Sequence, residues 1–320
     1  IKDIERKFYH WFCDYFFEAI KLLSISNREL NRRLLVLNPE VHEQWFLQGR
    51  NNAAFLGHYC NWEWLSRVGK DMNQERRLCL IYDPLHSKPF DNLFLKIRTY
   101  PPTGVPTPKR DILRQLLEWK QQGIFSMSGY IADQAPKWQN IHLWIPFLNH
   151  PHSPVFTGAE RIARKMNNVI YYAKMSRPRR GYYEMEYVLI TDDPNSIPEG
   201  DITRRFFHLL EESIRNRPEF YLWTHNRWKR TKEEFDQRFN IVNGKSIRKY
   251  NIRLLQHLMV FDSISSVIMC LRGQIFLSIR GGFANLKDCA LSNIHSYFLP
   301  KISKLLNQLL ILKSEEVLIF

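Results

Sequence analysis

The sequence lacks several patterns that would assign it to a common class. Its five cysteines include no C-x2-C pair, so neither a zinc site nor a disulfide framework is indicated. Reduced thiols facing the cytosol are the simpler expectation. A membrane-spanning helix needs roughly 18 uninterrupted apolar residues, and no stretch reaches that length. The longest candidate, residues 254–279, is interrupted by charged and polar residues.

Positive charge is plentiful. The 320 residues are 44% hydrophobic, enough for a sizeable core, and carry a formal net charge of +14 with a pI near 9.6. Such an excess suits an anionic partner: nucleic acid, acidic lipid head groups or an acidic carrier protein. The sequence contains no recognised nucleic-acid-binding motif, and we expect no nucleic acid partner.

Strand and helix patterns alternate along the first two thirds of the chain. The predicted strands are 53–56, 78–82, 124–131, 169–175 and 183–190. The predicted helices lie within 5–37 and at 62–72, 90–97, 109–122, 154–165 and 201–216. This order predicts an α/β fold with a mostly parallel sheet covered by helices and preceded by N-terminal helices. In such sheets chemistry belongs at the carboxyl ends of the strands.

A histidine and a carboxylate five residues apart follow the first predicted strand of this sheet. Residues 51–56 are typical of a buried strand, Gly57 relieves the turn, and Asn61 is a good N-cap for a helix that carries Glu63. His58 in the loop and Glu63 in the first helical turn can then meet. A neutral histidine so held takes a proton from a hydroxyl, while the carboxylate fixes its tautomer. The simpler interpretation is a buried histidine and an acid placed against a helix dipole.

Five sequence blocks in a fixed order decide between these interpretations. They are GHYCNWEW at 57–64, the segment 82–98, GYIADQAP at 129–136, PVFTGAERIAR at 154–164 and PEFYLWTHNRWK at 218–229. Together they resemble the lipid A late acyltransferases of the lysophospholipid acyltransferase superfamily, over about residues 5–235. The wording of the first and last blocks is most similar to Bacteroidetes-type members.

The resemblance implies a glycerolipid-acyltransferase-like fold and a specific reaction. A fatty acyl chain would move from the thioester of an acyl-acyl carrier protein to a hydroxyl of a lipid A precursor. His58 would be the general base and Glu63 would orient it. The hydroxyl would attack the thioester directly, so Cys60 is a bystander and no cofactor is expected.

Basic residues are expected to hold the phosphates of the acceptor. Lys96 and Arg98 stand two apart before a proline-rich loop and could face one way in an extended segment, and Arg110 follows. Arginine suits bidentate phosphate contacts, and lysine supplies a point charge. Scattered surface Lys and Arg at this pI are the alternative.

Two further blocks supply substrate-binding candidates. Asp133 follows an apolar run, where a strand-end carboxylate could bind substrate or organise its loop. The family pattern there is close to D-H-D, and the sequence Asp-Gln-Ala at 133–135 departs from it. Thr157 and Gly158, before a helix, offer backbone N–H groups to an anion or a carbonyl oxygen. Arg164 matches a family arginine, although its i,i+4 spacing from an acid also fits a structural pair.

Metal binding is not expected, because His58, Glu63 and Asp133 lack a convincing ligand set. We expect a membrane surface as a partner and a location on the cytoplasmic face of the inner membrane. Residues 1–43 are predicted to be a helical membrane-interface segment. Because family members usually carry an N-terminal hydrophobic anchor, we also expect that the sequence has lost one.

The remaining residues divide into two regions of different character. Residues 44–239 are predicted to form the catalytic domain, and residues 240–320 an atypical C-terminal tail. The tail contains ten Lys or Arg and four Asp or Glu, and it carries no family motif. We expect it to be an unnatural extension that is dispensable, or alternatively a partner-binding helical segment.

Alternatives from other functional classes stay open at this stage. Within the family, the acceptor could be another lipid, such as an aminolipid or a glycolipid. The same histidine and carboxylate could activate water in a hydrolase. A non-enzymatic basic protein that binds membranes or nucleic acid would also account for positive charge with interleaved aromatics, but it leaves His58 and Glu63 unexplained.

Overall fold

A computed structural model of the chain describes residues 1–100, 103–242, 245–249, 266–271, 274–279 and 282–285. The chain divides into two compact units, Ile1–Lys249 and Tyr250–Phe320.

The first unit contains eleven of the described strands and all of the described helices. The strands are β1 (Leu34–Val36), β2 (Asn52–Leu56), β3 (Arg77–Tyr82), β4 (Gly104–Pro108), β5 (Ser126–Ile131), β6 (Leu143–Phe147), β7 (His150–Val155), β8 (Val169–Arg179), β9 (Tyr182–Thr191), β10 (Phe239–Val242) and β11 (Lys245–Arg248). The α-helices are α1 (Lys2–Lys21), α2 (Asn27–Arg33), α3 (Glu43–Leu47), α4 (Lys88–Arg98), α5 (Ile112–Gln121), α6 (Gly158–Lys165), α7 (Asp201–Asn216) and α8 (Lys232–Arg238). Short 3₁₀ helices lie at Pro39–His42, Trp62–Asp71, Trp138–Asn140 and Pro218–Phe220.

A seven-stranded sheet organises this unit in the order β1-β9-β8-β2-β5-β3-β4. All neighbouring pairs are parallel except β8 and β9, which form an antiparallel hairpin. Helices connect the parallel strands because a parallel pair needs a crossover. The predicted α/β class with a mostly parallel sheet and N-terminal helices is confirmed.

Several predicted elements differ in detail. Residues 34–36 form an edge strand inside the stretch predicted to be helical, and the proline-rich loop contributes β4 at the opposite edge, where missing N–H groups do little harm. The helix predicted to begin at residue 154 begins at Gly158, because β6 and β7 form a hairpin up to Val155. The segment after His58 is a 3₁₀ helix.

Helix α1 covers the carboxyl edge of the sheet with an aromatic face. Phe8, Trp11, Tyr15 and Ala19 recur at helical spacing and are buried. The Trp11 ring lies 6.4 Å from the Trp62 ring. Among the residues that the structure describes, no helix is both long and apolar enough to cross a bilayer.

The hairpin β10–β11 belongs to the first unit, where Phe239 is buried with Ile141 and Phe235. In the second unit, β12 (Ser266–Leu271), β13 (Gln274–Ile279) and β14 (Gly282–Asn285) form an antiparallel sheet. The rest of the predicted tail lies outside the described residues. The predicted boundary after residue 239 stays a prediction, as does the dispensability of the tail.

Candidate active site

The register of two neighbouring strands brings His58 and Asp133 together. Strands β2 and β5 are parallel, and their last paired residues are Leu56 and Ile131. His58 and Asp133 each come two residues after that pair, so they leave the sheet side by side at its carboxyl edge. Gly57 allows α7 to pack closely on the start of this loop, because a Cβ atom there would lie 2.7 Å from a methyl carbon of Leu210 in α7.

Two hydrogen bonds fix the His58 ring and backbone on one carboxylate. The His58 Nδ1 atom lies 2.6 Å from Asp133 Oδ1, and the His58 backbone N–H donates to Asp133 Oδ2 at 3.1 Å. An ionised carboxylate only accepts, so Nδ1 carries the proton. In its neutral form the ring therefore presents Nε2 as its basic nitrogen.

Asp133 stays ionised in this position although it is buried. Burial would raise its pKa, but the charge and hydrogen bonds of His58, together with the Arg227 guanidinium, hold the pKa below its ordinary value. Arg227 is itself buried, with its guanidinium 5.0 Å from the ring centroids of both Phe147 and Phe207. Burial lowers the pKa of Arg227, but the charges of Arg227 and Asp133 each favour the charged form of the other.

The basic nitrogen of His58 faces a polar, partly open side. Gln134 Nε2 lies 3.3 Å from His58 Nε2, which fits a weak bond from the amide to the lone pair. The Trp62 ring packs edge-on to the imidazole at 5.0 Å. The His58 side chain is 15% exposed, compared with 3% for Asp133. A small movement of Gln134 would give a hydroxyl access to Nε2.

Glu63 lies at the same edge but has a different partner. Arg98 donates from Nε and Nη2 to the two oxygens of Glu63, at 2.9 and 2.6 Å. The expected orientation of His58 by Glu63 is thus corrected: among the described residues Asp133 holds the ring and Glu63 holds Arg98. The physical reason is that the register of β2 and β5 places Asp133 beside His58, while α4 brings Arg98 to Glu63. A catalytic role for Glu63 stays a prediction.

The predicted phosphate-binding residues are dispersed. Lys96 and Arg98 occupy the last turn of α4, so the extended geometry expected for them is wrong. The Arg98 side chain is 22% exposed and engaged with Glu63. Arg110 follows β4, is 75% exposed, and contacts Asp111 at 3.4 Å. Phosphate contacts by these residues stay predictions.

The Arg164 side chain bonds to other groups of the protein. Its guanidinium donates five hydrogen bonds, to Glu160 and to backbone oxygens of Pro194, Ile197 and Pro198. Glu160 is fully buried and also accepts from Thr203. The geometry therefore fits the alternative that Glu160 and Arg164 form a structural i,i+4 pair. The donors of the Arg164 guanidinium bond to other protein atoms.

Thr157 and Gly158 lie at the start of α6. Thr157 is buried and occupies the N-cap position, where its side chain makes no capping hydrogen bond. The contacts of these two residues do not join them to His58 or Asp133 within the part of the chain that the structure describes. Their predicted role in substrate binding stays a prediction.

Cys60 is fully buried in the tight loop between His58 and the 3₁₀ helix, with a positive φ of 51°. Burial raises the pKa of its thiol far above the ordinary value. A protonated, inaccessible thiol is a poor nucleophile. This supports its expected role as a bystander.

Within the described ranges, no group of three or more His, Cys, Asp or Glu side chains could hold a metal ion. The side chains at this edge can supply a general base and a carboxylate that stabilises its protonated form.

Fold and site together define an α/β protein with a histidine–carboxylate pair suited to activating a hydroxyl group. Residues 2–230 match the family model of the bacterial lipid A biosynthesis acyltransferases, well over half of the chain, and the chain therefore belongs to this family. The expected family and the expected class of enzyme, an acyltransferase, are confirmed. A Bacteroidetes origin stays a prediction. No curated protein matches the chain.

Proposed function

We propose that the chain transfers a fatty acyl group from the thioester of an acyl carrier protein to a hydroxyl of a lipid A precursor, with His58 as the general base. The observation that carries the proposal is the 2.6 Å contact between His58 Nδ1 and Asp133 Oδ1 at the carboxyl edge of the sheet. It leaves Nε2 unprotonated and directed away from the carboxylate, as deprotonation of a hydroxyl requires.

The reaction then proceeds without a covalent intermediate on the enzyme. His58 Nε2 takes the proton of the acceptor hydroxyl while the hydroxyl oxygen attacks the thioester carbonyl carbon. The carbon–sulfur bond breaks, an ester forms, and the leaving thiolate recovers the proton from the imidazolium. Asp133 stabilises that imidazolium. The pKa of the Asp133 carboxyl is held low, so the carboxylate remains charged throughout.

Glu63 and Arg98 would support the site as a pair. Glu63 is almost fully buried, and Tyr15 of α1 lies beside it. Burial and the nearby charge of Glu63 both raise the pKa of the Tyr15 hydroxyl. Burial lowers the pKa of Arg98, but the hydrogen bonds and charge of Glu63 raise it above its ordinary value. This pair ties the 3₁₀ helix after His58 to α4 and would fix the path of the His58 loop.

We also propose that the protein works at the cytoplasmic face of the inner membrane. Helix α1 exposes Tyr9, Phe16, Phe17 and Ile20 on the face opposite its buried residues, and Phe17 is 75% exposed. An amphipathic helix with aromatic residues on its open face suits the interface of a bilayer. The net charge of +14 would add attraction to anionic lipids.

The test is product analysis with a labelled acyl-acyl carrier protein, with and without a lipid A precursor. We expect label in the lipid with the native chain, and a fall of about 10²–10⁴-fold in transfer with His58→Ala. The matched control is His208→Ala, since His208 also faces a carboxylate, Glu212 at 3.4 Å, but on the protein surface. Release of free fatty acid at an undiminished rate without acceptor would instead identify a hydrolase, and near-native transfer by His58→Ala would exclude the mechanism.

A further inference from the structure

A cavity between α1 and the end of β8 is lined mainly by basic residues. It has a volume of about 610 Å³, within the range of small-ligand sites. We name it the arginine cavity. Its charged lining consists of six basic side chains, Arg6, Lys7, Arg177, Arg179, Arg180 and Arg217, and two acidic ones, Asp14 and Glu219. Such an excess in a concave site concentrates anions.

Ion pairs within the protein leave much of this charge uncompensated. Asp14 is shared by Arg177 and Arg180, each at 2.6 Å, so one carboxylate serves two guanidinium groups. Arg6 and Lys7 likewise share a single carboxylate, that of Asp3.

The two remaining arginines of the lining differ, because within the described ranges only Arg217 has a carboxylate partner. Arg217 pairs with Glu219 at 2.8 Å, while the Arg179 guanidinium lies 3.6 Å from the ring centroid of Tyr182. A ligand with two or more negative charges would balance the positive charge that remains in the cavity.

One of the arginines is held rigidly in the wall. The Arg177 side chain is only 9% exposed, and its buried Nε atom has no hydrogen-bond partner among the residues that the structure describes. Its guanidinium lies 5.7 Å from the ring of Phe220, and Glu18 approaches it at 3.9 Å. A guanidinium fixed in this way loses little conformational freedom on binding and matches the oxygens of a phosphate.

The arginine cavity adjoins the active site. Trp11 lines the cavity and packs on Trp62, whose ring in turn contacts His58. Strand β8 is parallel to its neighbour β2, so its final residues extend past the sheet on the same side as His58. A ligand whose charged group sits in the cavity could thus present another part of itself to the catalytic base.

Helix α1 supplies two kinds of surface to such a ligand. Arg6, Lys7 and His10 line the cavity, while Phe16 and Phe17 are exposed on an adjoining face of the helix. A charged headgroup joined to apolar chains satisfies both surfaces. A free anion or a protein partner would leave the apolar face unused or would not fit a cavity of this size.

We propose that the arginine cavity binds the phosphate-bearing headgroup of the acceptor lipid and so positions its hydroxyl for His58. The proposal rests on the proposed acyl transfer. It also moves phosphate recognition away from Arg98, which has the Glu63 carboxylate to itself, to arginines that share one carboxylate.

The kinetic test compares a bisphosphorylated acceptor with the same lipid after removal of its phosphates. Arg6→Glu and, separately, Arg180→Glu should raise KM for the phosphorylated acceptor about tenfold or more, with kcat nearly unchanged and little effect on KM for the dephosphorylated lipid. The matched control is Arg204→Glu, because Arg204 also follows an aspartate at i,i+3 on a helix but lies in a second cavity of mixed charge. An unchanged KM, or an equal rise for both acceptors, would overturn the proposal.

A binding measurement separates failure of this proposal from failure of the proposed function. Calorimetry in the His58→Ala protein, titrated with a soluble disaccharide bisphosphate that lacks acyl chains, needs no turnover. We expect saturable binding that weakens about tenfold or more with Arg6→Glu and is unaffected by Arg204→Glu. Equal binding with and without Arg6→Glu, or inorganic phosphate binding as tightly as the disaccharide, would reject a headgroup site even if acyl transfer were established.

Discussion

Two buried acid–base pairs in the same domain are held in opposite ways. In α6, Glu160 and Arg164 are surrounded by donors and acceptors of the protein, and all five bonds of the guanidinium stay within the chain. At the carboxyl edge of the sheet, Asp133 accepts two bonds from His58, but the far nitrogen of the ring has only a long contact with Gln134 among the described residues.

The difference is that between a structural pair and a pair suited to the proposed catalysis. A fully bonded pair stabilises the connection between two elements and offers nothing to a ligand. A pair with one basic atom left partly free, in a side chain that is 15% exposed, can accept a proton from outside. Under the proposed function, Glu160–Arg164 therefore supports the fold and His58–Asp133 carries out the chemistry.

The largest expected effect concerns the catalytic pair. Asp133→Asn should lower acyl transfer by about 10²–10⁴-fold, because an amide can donate to Nδ1 and would favour the tautomer with its proton on Nε2. The measurement is kcat with labelled acyl thioester and lipid acceptor, with a thermal scan to verify folding. Retention of more than about a tenth of the native rate would assign the carboxylate a different role.

The structural pair should respond in stability. Glu160→Gln removes the charge opposite Arg164 and should cost about 3–5 kcal/mol, as breaking a buried ion pair does. The readout is the free energy of unfolding from denaturant titration. Acyl transfer per folded molecule should stay near native. A selective loss of kcat with unchanged stability would contradict the structural role of this pair.

A double-mutant cycle distinguishes a structural role of Glu63 and Arg98 from a catalytic one. If Glu63 acts through Arg98, then Glu63→Gln and Arg98→Met should be non-additive, with a coupling of about 0.5–3 kcal/mol in a double-mutant cycle for both stability and transfer. The matched control pairs Glu63→Gln with Arg204→Glu, which should be additive. Additive effects on transfer would favour a direct catalytic role for Glu63.

The smallest effect is expected at the C-terminal boundary. Ending the chain after Lys249 keeps the β10–β11 hairpin and should leave thermal stability and transfer essentially unchanged. Ending it after Phe239 removes that hairpin from beside Ile141, and should lower Tm by a few degrees for each ~1 kcal/mol lost. A large loss of activity from the longer truncation would make the tail an integral element.

Much of this arrangement follows from the sequence because it is local. Apolar runs bounded by glycine and polar residues predict β2 and β5, and strand–helix alternation makes them parallel, so His58 and Asp133 were both expected at one edge. The bounds of α7 agree with its helical periodicity. The ordered motifs were sufficient to indicate the family.

The pairing of charges was decided by the tertiary structure. The H-x4-E spacing suggested Glu63 for His58, but the register of β2 against β5 puts Asp133 there, and α4 brings Arg98 to Glu63. The arginine cavity likewise joins α1 to residues more than 160 positions further along the chain. Sequence patterns fix which residues leave a strand together. Which acid meets which base depends on strand order and helix packing, and these are set by long-range burial that no local spacing encodes.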